Sequence, residues 1–286
     1  MAIVTGVLFV VQPNNVNTCD ERPIEYALRN HGVPVYRVIF GDETLATTSL
    51  SPSRELLYAT DSCGAAESVE ISVVYLRAGY DVEEYTDPGF EARYQIEMSR
   101  AIKCPSILCH MATLKIVQQK LATPGSLERF VSPEDSARIT TTFAPLYPLN
   151  DSVIGREARR LACDPKTAVK YVLKPSLEGG GHNIYRGDIP AFLRSIPQSS
   201  WQDYILMAII EPPEVRNILL SPSGTYSGPV ISELGIFGAC LWRKGSSELE
   251  ILENEEAGFS FKTKRQDVHE MSVVKGYGCF DSPCLI

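Results

Sequence analysis

The stretch VLKPSLEGGGHNIY, residues 172–185, decides how the rest of this sequence is interpreted. Its first residues are apolar and lead to Lys174 and Pro175, which predicts a strand that ends beside a cation. Glu178 and the glycines Gly179–Gly181 follow. Glycine has no Cβ atom and readily adopts positive φ, so the N–H groups of consecutive glycines can converge on an anion. The stretch therefore predicts a phosphate-binding loop.

Two common phosphate-binding motifs do not fit this stretch. No glycine is followed at the P-loop spacing by Lys and then Ser or Thr, and Ile184 occupies the position of the last glycine in GxGxxG. Composition alone therefore leaves a second interpretation open, in which the three glycines are only a mobile turn.

Length and composition indicate a globular protein. With 286 residues, the chain is long enough for one large domain or two ordinary ones. Its hydrophobic content of 44% and charged content of 22% are typical of soluble proteins. Lys and Arg total 27 against 35 for Asp and Glu, a net charge of −8, which argues against a nucleic-acid partner.

The cysteines and the amino terminus bear on the compartment. The eight cysteines show no CxxC pair and no zinc-binding spacing, so free thiols in a reducing cytoplasm are expected. Residues 7–11 are apolar, but no basic segment precedes them and Gln12-Pro13 ends the run, which favours a strand over a signal peptide. No apolar run reaches the roughly 20 residues of a membrane-spanning helix. We therefore expect no membrane partner.

The first part of the chain is predicted to alternate strands and helices. Residues 3–11 predict a buried strand, a polar loop follows over 12–21, and a helical pattern over 25–29 precedes a second strand at 33–39. A strand, a helix and a strand within so short a segment indicate a parallel, Rossmann-like unit. The segment 41–68 is rich in Ser and Thr, and we expect a surface excursion there.

A third strand, 72–76, ends at Arg77 and is followed by Tyr80. Because ligands of open α/β sheets bind at the carboxyl ends of strands, these two residues and the loop after the first strand predict a substrate-binding edge. A helix over 90–102 carries Glu and Arg in alternation, which indicates a solvated face rather than catalytic residues. A short strand is predicted over 106–109.

From about residue 110 onward the pattern changes. It predicts helices near 112–122 and 152–164, and then strands near 170–174, 204–210, 215–220, 228–238 and 249–252. Helices followed by an antiparallel sheet are typical of an α+β fold. The predicted fold class is therefore α/β for the first part of the chain and α+β for the remainder.

The order of several motifs carries a family resemblance. Lys174 and the glycine loop, followed by Asn183 and Tyr185, resemble the ATP loop of eukaryotic glutathione synthetases, which are ATP-grasp ligases. Other matching stretches are VVYLRAGY (73–80), FEARYQIEMSRAIKCPSI (90–107), KIVQQKLATPG (115–125), YILM (204–207) and ISELGIFGA (231–239). The resemblance implies a Rossmann-like substrate domain, 1–110, followed by an ATP-grasp domain, 111–286. The synthetases begin with a long segment that has no counterpart in this sequence.

The resemblance implies an ATP-dependent reaction that joins γ-glutamylcysteine to glycine through an acyl phosphate. Lys115 and Lys174 match phosphate-contacting lysines of the family, a role that suits a compact positive charge. Glu178 matches a magnesium ligand, because Mg²⁺ prefers carboxylate oxygen. The positions that match nucleotide contacts are Lys115, Lys174, Glu178, Gly179, Gly180, Gly181, His182, Asn183, Tyr185, Met207, Ile210, Glu233, Lys264 and Glu270.

A second set of positions matches the dipeptide site of the family. Its members are Asn15, Val16, Asn17, Glu21, Arg77, Ala78, Gly79, Tyr80, Lys262, Val273 and Val274. The planar fork of arginine pairs with a carboxylate through two hydrogen bonds, so Arg77 is expected to orient the dipeptide. The resemblance implies that Arg77, Lys115 and Lys174 are catalytic, and that the protein is a cytoplasmic homodimer acting on small molecules.

Three departures from the family pattern bear on activity. Glu21 stands where glutamine is usual, Lys262 stands where arginine is usual, and residues 271–275 replace the glycines and alanines of a lid loop. Two further metal ligands of the family lie in the segment without a counterpart, so we expect this chain by itself to be a poor ligase. Two alternatives stay open: a catalytically impaired ATP- or peptide-binding effector, and a ligase for a related γ-glutamyl peptide.

Overall fold

A computed structural model of the chain describes residues 5–62, 65–176, 182–221, 224–246 and 248–283. The described residues form three β-sheets, and the helices accompany the first two of them. Contacts divide the chain into two compact units, one up to Ile209 and one from Ile210 onward. The mixed α/β and α+β class predicted from the sequence is confirmed.

The first sheet organises the amino-terminal part of the first unit. Its elements are β1 (Thr5–Val11), α1 (Thr18–Asn30), β2 (Val35–Ile39), α2 (Asp42–Thr47), β3 (Thr48–Leu50), β4 (Leu56–Ser62), β5 (Ala65–Arg77), α3 (Asp87–Met98) and β6 (Ile102–Cys104). The strand order is β2-β1-β5-β4-β3, and β6 pairs with β5. Strand β1 is parallel to β2 and β5, which confirms the predicted Rossmann-like unit.

Strand β1 is buried on both faces of this sheet. Leu8 and Val10 belong to one hydrophobic core, whereas Val7, Phe9 and Val11 belong to another on the opposite face. Successive side chains of a strand point to opposite faces, so only a strand covered on both sides has an unbroken apolar sequence. This is why the run was recognisable as a buried strand.

Two predictions for this part were wrong. The loop over 12–21 ends early because α1 begins at Thr18, and the segment 41–68 forms α2, β3, β4 and the start of β5 instead of a surface excursion. Strand β4 pairs antiparallel with the first half of β5. A strand with one polar face is rich in Ser and Thr, so its composition resembles that of a loop.

The segment around Pro105 was also misassigned. Helix α3 ends at Met98, ahead of the predicted end at 102, and the residues predicted as a strand over 106–109 belong to helix α4 (Ile107–Ala112). The hydroxyl of Ser106 accepts a hydrogen bond from the Cys109 N–H. A short apolar run fits either a strand or a helix, and here the serine cap was the decisive signal.

The second sheet is antiparallel and lies in the remainder of the first unit. Its elements and their helices are α5 (Lys115–Leu121), α6 (Pro133–Thr140), β7 (Leu146–Pro148), α7 (Val153–Cys163), α8 (Pro165–Ala168), β8 (Tyr171–Pro175), β9 (Ile184–Tyr185), α9 (Ile189–Ser195) and β10 (Tyr204–Ala208). The strand order is β7-β10-β8-β9. Leu173 and Leu206, both fully buried, pack in one core with residues of α7, α8 and α9. One face of this sheet is therefore covered by helices.

The second unit is built from four antiparallel strands: β11 (Val215–Ser221), β12 (Gly224–Lys244), β13 (Leu249–Arg265) and β14 (Cys279–Phe280). The fully buried Thr263 on β13 donates to Asp281 Oδ2 at 2.8 Å, and its hydroxyl lies 2.8 Å from that of Ser232 on β12. Asn217 on β11 also donates to Asp281, at 3.2 Å. This polar cluster joins the carboxyl-terminal segment to three strands.

Two further expectations concern cysteines and membranes. In the described part of the chain six cysteines are free, as predicted: Cys19, Cys104, Cys109, Cys163, Cys240 and Cys279. Across the described ranges, none of the helices combines the length and the apolar character that crossing a bilayer requires. The predicted division of the chain at residue 110 stays a prediction.

Gly89 lets the loop after β5 pack against the first turn of α3. A Cβ atom at Gly89 would lie 2.1 Å from the backbone oxygen of Glu84, which requires the backbone to move. We predict that Gly89→Ala lowers the free energy of unfolding by roughly 1–3 kcal/mol. Urea denaturation measures this change.

Gly187→Ala is the matched control, because a Cβ atom at Gly187 meets nothing within 4 Å and its backbone is not left-handed. We expect this variant to stay within about 0.5 kcal/mol of the wild type. Equal stability of the two variants would show that the loop does not depend on the contact at Gly89.

Candidate functional site

The predicted dipeptide-binding residues of the first unit lie at one edge of the first sheet. Strands β1 and β5 are parallel and in register up to the pair Val11 and Arg77, so the loops that follow them start side by side. One loop carries Asn15 and the other carries Tyr80. The two loops are joined by the hydrogen bond that Tyr80 Oη donates to Gln12 Oε1 at 2.8 Å. The prediction did not include Gln12.

Glu21 lies in the first turns of α1 and is fully buried, whereas the prediction placed it in an open loop. Its Oε2 accepts hydrogen bonds from Asn15 Nδ2 at 2.8 Å and from Arg37 Nη1 at 2.6 Å. Arg37, on β2, also donates through Nε to Glu25 Oε1 at 2.9 Å. Burial works to lower the pKa of Arg37, but its hydrogen bonds to the two carboxylates and their charges raise it above the ordinary value.

This buried network was missed by sequence reasoning. Glu25 is 1% exposed and also pairs with Arg22 at 2.6 Å, so Arg22 and two carboxylates of α1 lie together with Arg37 of β2. Arg37 carried no signal in the sequence, because a single arginine within an apolar strand has no pattern that reveals its partners. The network fixes Glu21 beneath the candidate site.

Arg77 differs from Arg37 in how its donors are used. Its Nε lies 3.5 Å from Glu21 Oε1 and its Nη2 lies 3.7 Å from Asp20 Oδ2. These are ion pairs, and among the described residues Arg77 makes no hydrogen bond. Its side chain is 30% exposed. A guanidinium group in this state retains donors for a ligand carboxylate.

The segment Ala78–Tyr80 turns sharply after β5. Gly79 has a φ of 75°, which glycine adopts without strain. The Gly79 carbonyl accepts a hydrogen bond from Tyr85 Oη at 2.6 Å. Burial raises the pKa of this Tyr85 hydroxyl, while the nearby positive charge of Arg93 acts in the opposite direction.

On the loop after β1, Asn15 Oδ1 accepts a hydrogen bond from the Asn17 N–H at 2.8 Å, and the Val16 side chain is 70% exposed.

A cavity of about 310 Å³ adjoins this edge. It is lined by Leu76, Arg77, Ala78, Tyr80, Arg93, Pro105 and His110. Arg93 is only 4% exposed, so the prediction of a solvated Glu and Arg face on α3 was wrong at this position. Arg93 Nη2 lies 2.9 Å from Glu97 Oε1 and donates to the Pro105 carbonyl at 3.3 Å. Arg93 and His110 are thus cavity residues that the sequence did not indicate.

Candidate nucleotide residues of the first unit share one sheet face. Met207 and Tyr185 both pair with Val172, on the strands either side of β8, and Lys174 lies two residues further along β8. Because side chains alternate, these three side chains lie on the face opposite the buried Leu173. The N–H of Ile116 donates to Ser176 Oγ at 3.2 Å, which joins the start of α5, where Lys115 lies, to the end of β8.

Part of the predicted nucleotide loop lies outside the described residues: Glu178, Gly179, Gly180 and Gly181. His182, the next residue, is exposed, and Asn183 Nδ2 donates to Tyr185 Oη at 3.4 Å. Within the ranges that the structure covers, no group of three or more His, Cys, Asp or Glu side chains is arranged to hold a metal ion. The roles predicted for this loop stay predictions.

In the second unit, candidates from three separate segments form one cluster. Glu233 on β12 pairs in register with Lys262 on β13, and their charged groups are 3.6 Å apart. Lys264 donates through Nζ to the backbone carbonyls of Val268 and His269, the latter at 3.1 Å. Burial lowers the pKa of Lys264, and the charges of Glu233 and Glu270 partly oppose that shift. The predicted residues Glu233, Lys262, Lys264 and Glu270 are therefore linked by an ion pair and by the electrostatic effects of their charges.

The remaining candidates lie at the ends of this unit. Ile210 is 63% exposed and lies beyond β10, because that strand ends at Ala208 rather than at the predicted residue 210. Val273 and Val274 lie in a turn closed by the hydrogen bond from the Tyr277 N–H to the Ser272 carbonyl, at 2.7 Å. The bulky residues that replace the glycines of the family lid thus form an ordered turn.

The family model of the eukaryotic glutathione synthase ATP-binding domain matches residues 24–285. The glutathione synthetase large chain of Schizosaccharomyces pombe is 35% identical over 277 residues, covering 96% of this chain and 54% of the relative. Glutathione synthetase of Homo sapiens is 36% identical over 282 residues, covering 97% and 56%. The chain thus spans about half the length of the curated relatives it matches.

The chain also shares its fold with a protein of known structure. A glutathione synthetase-like effector from Globodera pallida, in its apo form, superposes with a TM-score of 0.69. The superposition covers 99% of this chain and 57% of the other, at 18% sequence identity. At that identity the similarity is evidence for the fold alone.

The buried network beneath the site predicts a large effect of one substitution. Arg37→Met removes the donor shared by Glu21 and Glu25 and leaves two buried carboxylates without it, so we expect a loss of stability on the order of 3 kcal/mol. Thermal and urea unfolding would both report this loss.

Arg22→Met is the matched control. Arg22 is 40% exposed, and among the described residues its side chain pairs with Glu25 alone, which Arg37 continues to hold. The expected loss for this variant is under about 1 kcal/mol. If the two variants lost the same stability, the network would not have the central role assigned to Arg37.

Proposed function

Because this chain belongs to the eukaryotic glutathione synthase family, we propose that it takes part in the ATP-dependent joining of γ-glutamylcysteine and glycine. The observation that carries the proposal is the sheet face shared by Lys174, Tyr185 and Met207. That face combines a cation with apolar and aromatic side chains, which suits a nucleotide with phosphates and a planar base. The matching family model is that of an ATP-binding domain, which supports the same ligand.

The proposed reaction has two steps. The γ-phosphoryl group of ATP is transferred to the cysteinyl carboxylate of the dipeptide, and ADP leaves. The amine of glycine then attacks the acyl phosphate, an amide bond forms and phosphate is released. Lys115 and Lys174 stabilise the charge of the transferring phosphoryl group, and Arg77 orients the dipeptide.

Magnesium enters this proposal through Glu178, whose carboxylate is a suitable ligand for a hard cation. When bound, Mg²⁺ would neutralise phosphate charge, as it does in phosphoryl transfer generally. Glu178 lies outside the described residues, so its support is the motif alone. The resemblance likewise supports a homodimer located in the cytoplasm. Light scattering on the purified chain tests the dimer.

The nucleotide site predicts the effect of removing both lysines. In a Lys115→Ala, Lys174→Ala double variant we expect ATP affinity to fall by roughly 3–6 kcal/mol, the sum of two charge-assisted contacts, ignoring non-additivity. Isothermal titration calorimetry with ATP and Mg²⁺ provides the measurement.

The control is the double variant Lys120→Ala, Lys170→Ala. It removes the same charge from exposed positions near the end of α5 and just before β8. Its ATP affinity should match that of the wild type. An unchanged affinity in the Lys115 and Lys174 variant would remove those residues from the nucleotide site.

Arg77→Lys is predicted to weaken binding of γ-glutamylcysteine by about tenfold or more and to leave ATP binding nearly unchanged. Lysine keeps the positive charge but lacks the planar fork of donors that a carboxylate binds in two places. Calorimetric titration with each ligand separates the two effects.

Arg100→Lys serves as the comparison, because Arg100 is 68% exposed and makes an ion pair of similar length, 3.5 Å, with Glu55. It should bind both ligands like the wild type. Dipeptide affinity that is equal in both variants would make Arg77 a structural residue.

A further inference from the structure

The outer edge of strand β12 is unpaired over much of its length. Strand β11 pairs with β12 only as far as Val230, whereas β12 continues beside β13 to Lys244. Among the described residues, no strand pairs with the outer edge of β12 over 231–244. A free edge presents a row of backbone N–H and C=O groups, to which another strand can be added.

The two free edges of this ribbon of β12 and β13 differ in composition. Strand β13 is irregular, because Leu252 and Ala257 are bulged residues without a partner on β12. It also carries four acidic residues: Glu250, Glu253, Glu255 and Glu256. Bulges and charges both prevent edge-to-edge pairing. The segment of β12 from Leu234 to Trp242 has no charged residue and no proline, so of the two edges the one on β12 is suited to pairing.

The charges at the two ends of that segment complement each other. Glu233 precedes the segment and Arg243 follows it, and their side chains are 58% and 63% exposed. When two copies of β12 pair antiparallel about a two-fold axis at Gly238, Glu233 of each copy lies directly opposite Arg243 of the other. In registers displaced by two residues, Glu233 faces Leu241 or Gly245 instead. The charges therefore select one register.

We propose that the outer edge of β12 joins two copies of this chain into a continuous sheet with the strand order β13-β12-β12-β13. The pairing places Leu234, which is 58% exposed in the single chain, opposite Trp242 of the second copy. It adds backbone hydrogen bonds and apolar contacts along the segment, and opposite charges meet at both ends. The acidic β13 strands stay at the outer edges. The inference rests on the homodimer in the proposed function and names the surface that forms it.

Cross-linking tests the position of the two-fold axis. A Cβ atom at Gly238 would meet only the Glu255 carbonyl oxygen, at 3.7 Å, so a cysteine fits there. Opposite Cα atoms of antiparallel strands are about 4.5–5.5 Å apart, a distance that a disulfide can span. With the thiol oxidant diamide, we expect Gly238→Cys to give at least about fivefold more disulfide-linked dimer than the wild type on a non-reducing gel, because pairing holds the two thiols together. The exposed Cys240 of the wild type sets the background.

Ala257→Cys is the matched control for cross-linking. Ala257 is exposed and belongs to the same ribbon, but it lies on β13, the strand that stays at the outer edge of the proposed dimer. This variant should give no more disulfide-linked dimer than the wild type.

Charge reversal tests the register. Arg243→Glu brings like charges together at both ends of the pairing, so the dimer dissociation constant from sedimentation equilibrium should rise by about tenfold or more. The double variant Glu233→Arg, Arg243→Glu restores opposite charges between the copies, and its constant should return to within about threefold of the wild type. Arg216→Glu is the control, because Arg216 is exposed on β11, and its constant should match the wild type.

The possible failures are distinguishable. A wild-type chain that stays monomeric would overturn the inference together with the homodimer, whereas the calorimetric titrations with ATP and the dipeptide judge the proposed reaction separately. A dimer in which Gly238→Cys cross-links no better than Ala257→Cys would overturn the β12 interface alone. A double variant that dimerises as weakly as Arg243→Glu would likewise overturn it.

Discussion

The pairing of Arg37 with two buried carboxylates is the interaction on which the candidate dipeptide site depends. Glu21 and Glu25 are almost completely buried, and an isolated carboxylate in such a position would be strongly destabilising. Arg37 reaches them from the neighbouring strand and hydrogen-bonds to both. Because Glu21 in turn lies beneath Arg77, the position of a ligand-accessible arginine is set by a group that no ligand touches.

The second sheet has two faces with different roles. Its helix-covered face requires large apolar side chains such as Leu173 and Leu206, both fully buried. The alternation of side chains then places Lys174 and Met207 on the other face, where their chemistry is available to a ligand. A single short strand can thus contribute to a hydrophobic core and to a candidate nucleotide site, since each function uses only every second residue.

Two of the three departures from the family pattern, those at Glu21 and Lys262, have different consequences. Glu21 in place of glutamine adds a negative charge, and Arg37 and Arg77 lie close enough to compensate it. Lys262 in place of arginine pairs with Glu233, so a residue expected at the substrate and one expected at the nucleotide engage each other. The first substitution places a buried negative charge beside Arg77, whereas the second places a positive charge beside Glu233.

The sequence by itself determined the buried strands, the class of the fold and the positions of Arg77, Lys115 and Lys174. Apolar runs, strand ends and the order of motifs are local properties, so they can be recognised without knowledge of distant contacts. Only the tertiary structure decided that Arg93 is buried, that Glu21 belongs to a helix and that Asp20 lies beside Arg77. Burial and charge pairing depend on residues far apart along the chain. The sequence around an arginine or glutamate therefore does not show whether its side chain is solvated or is buried against an opposite charge.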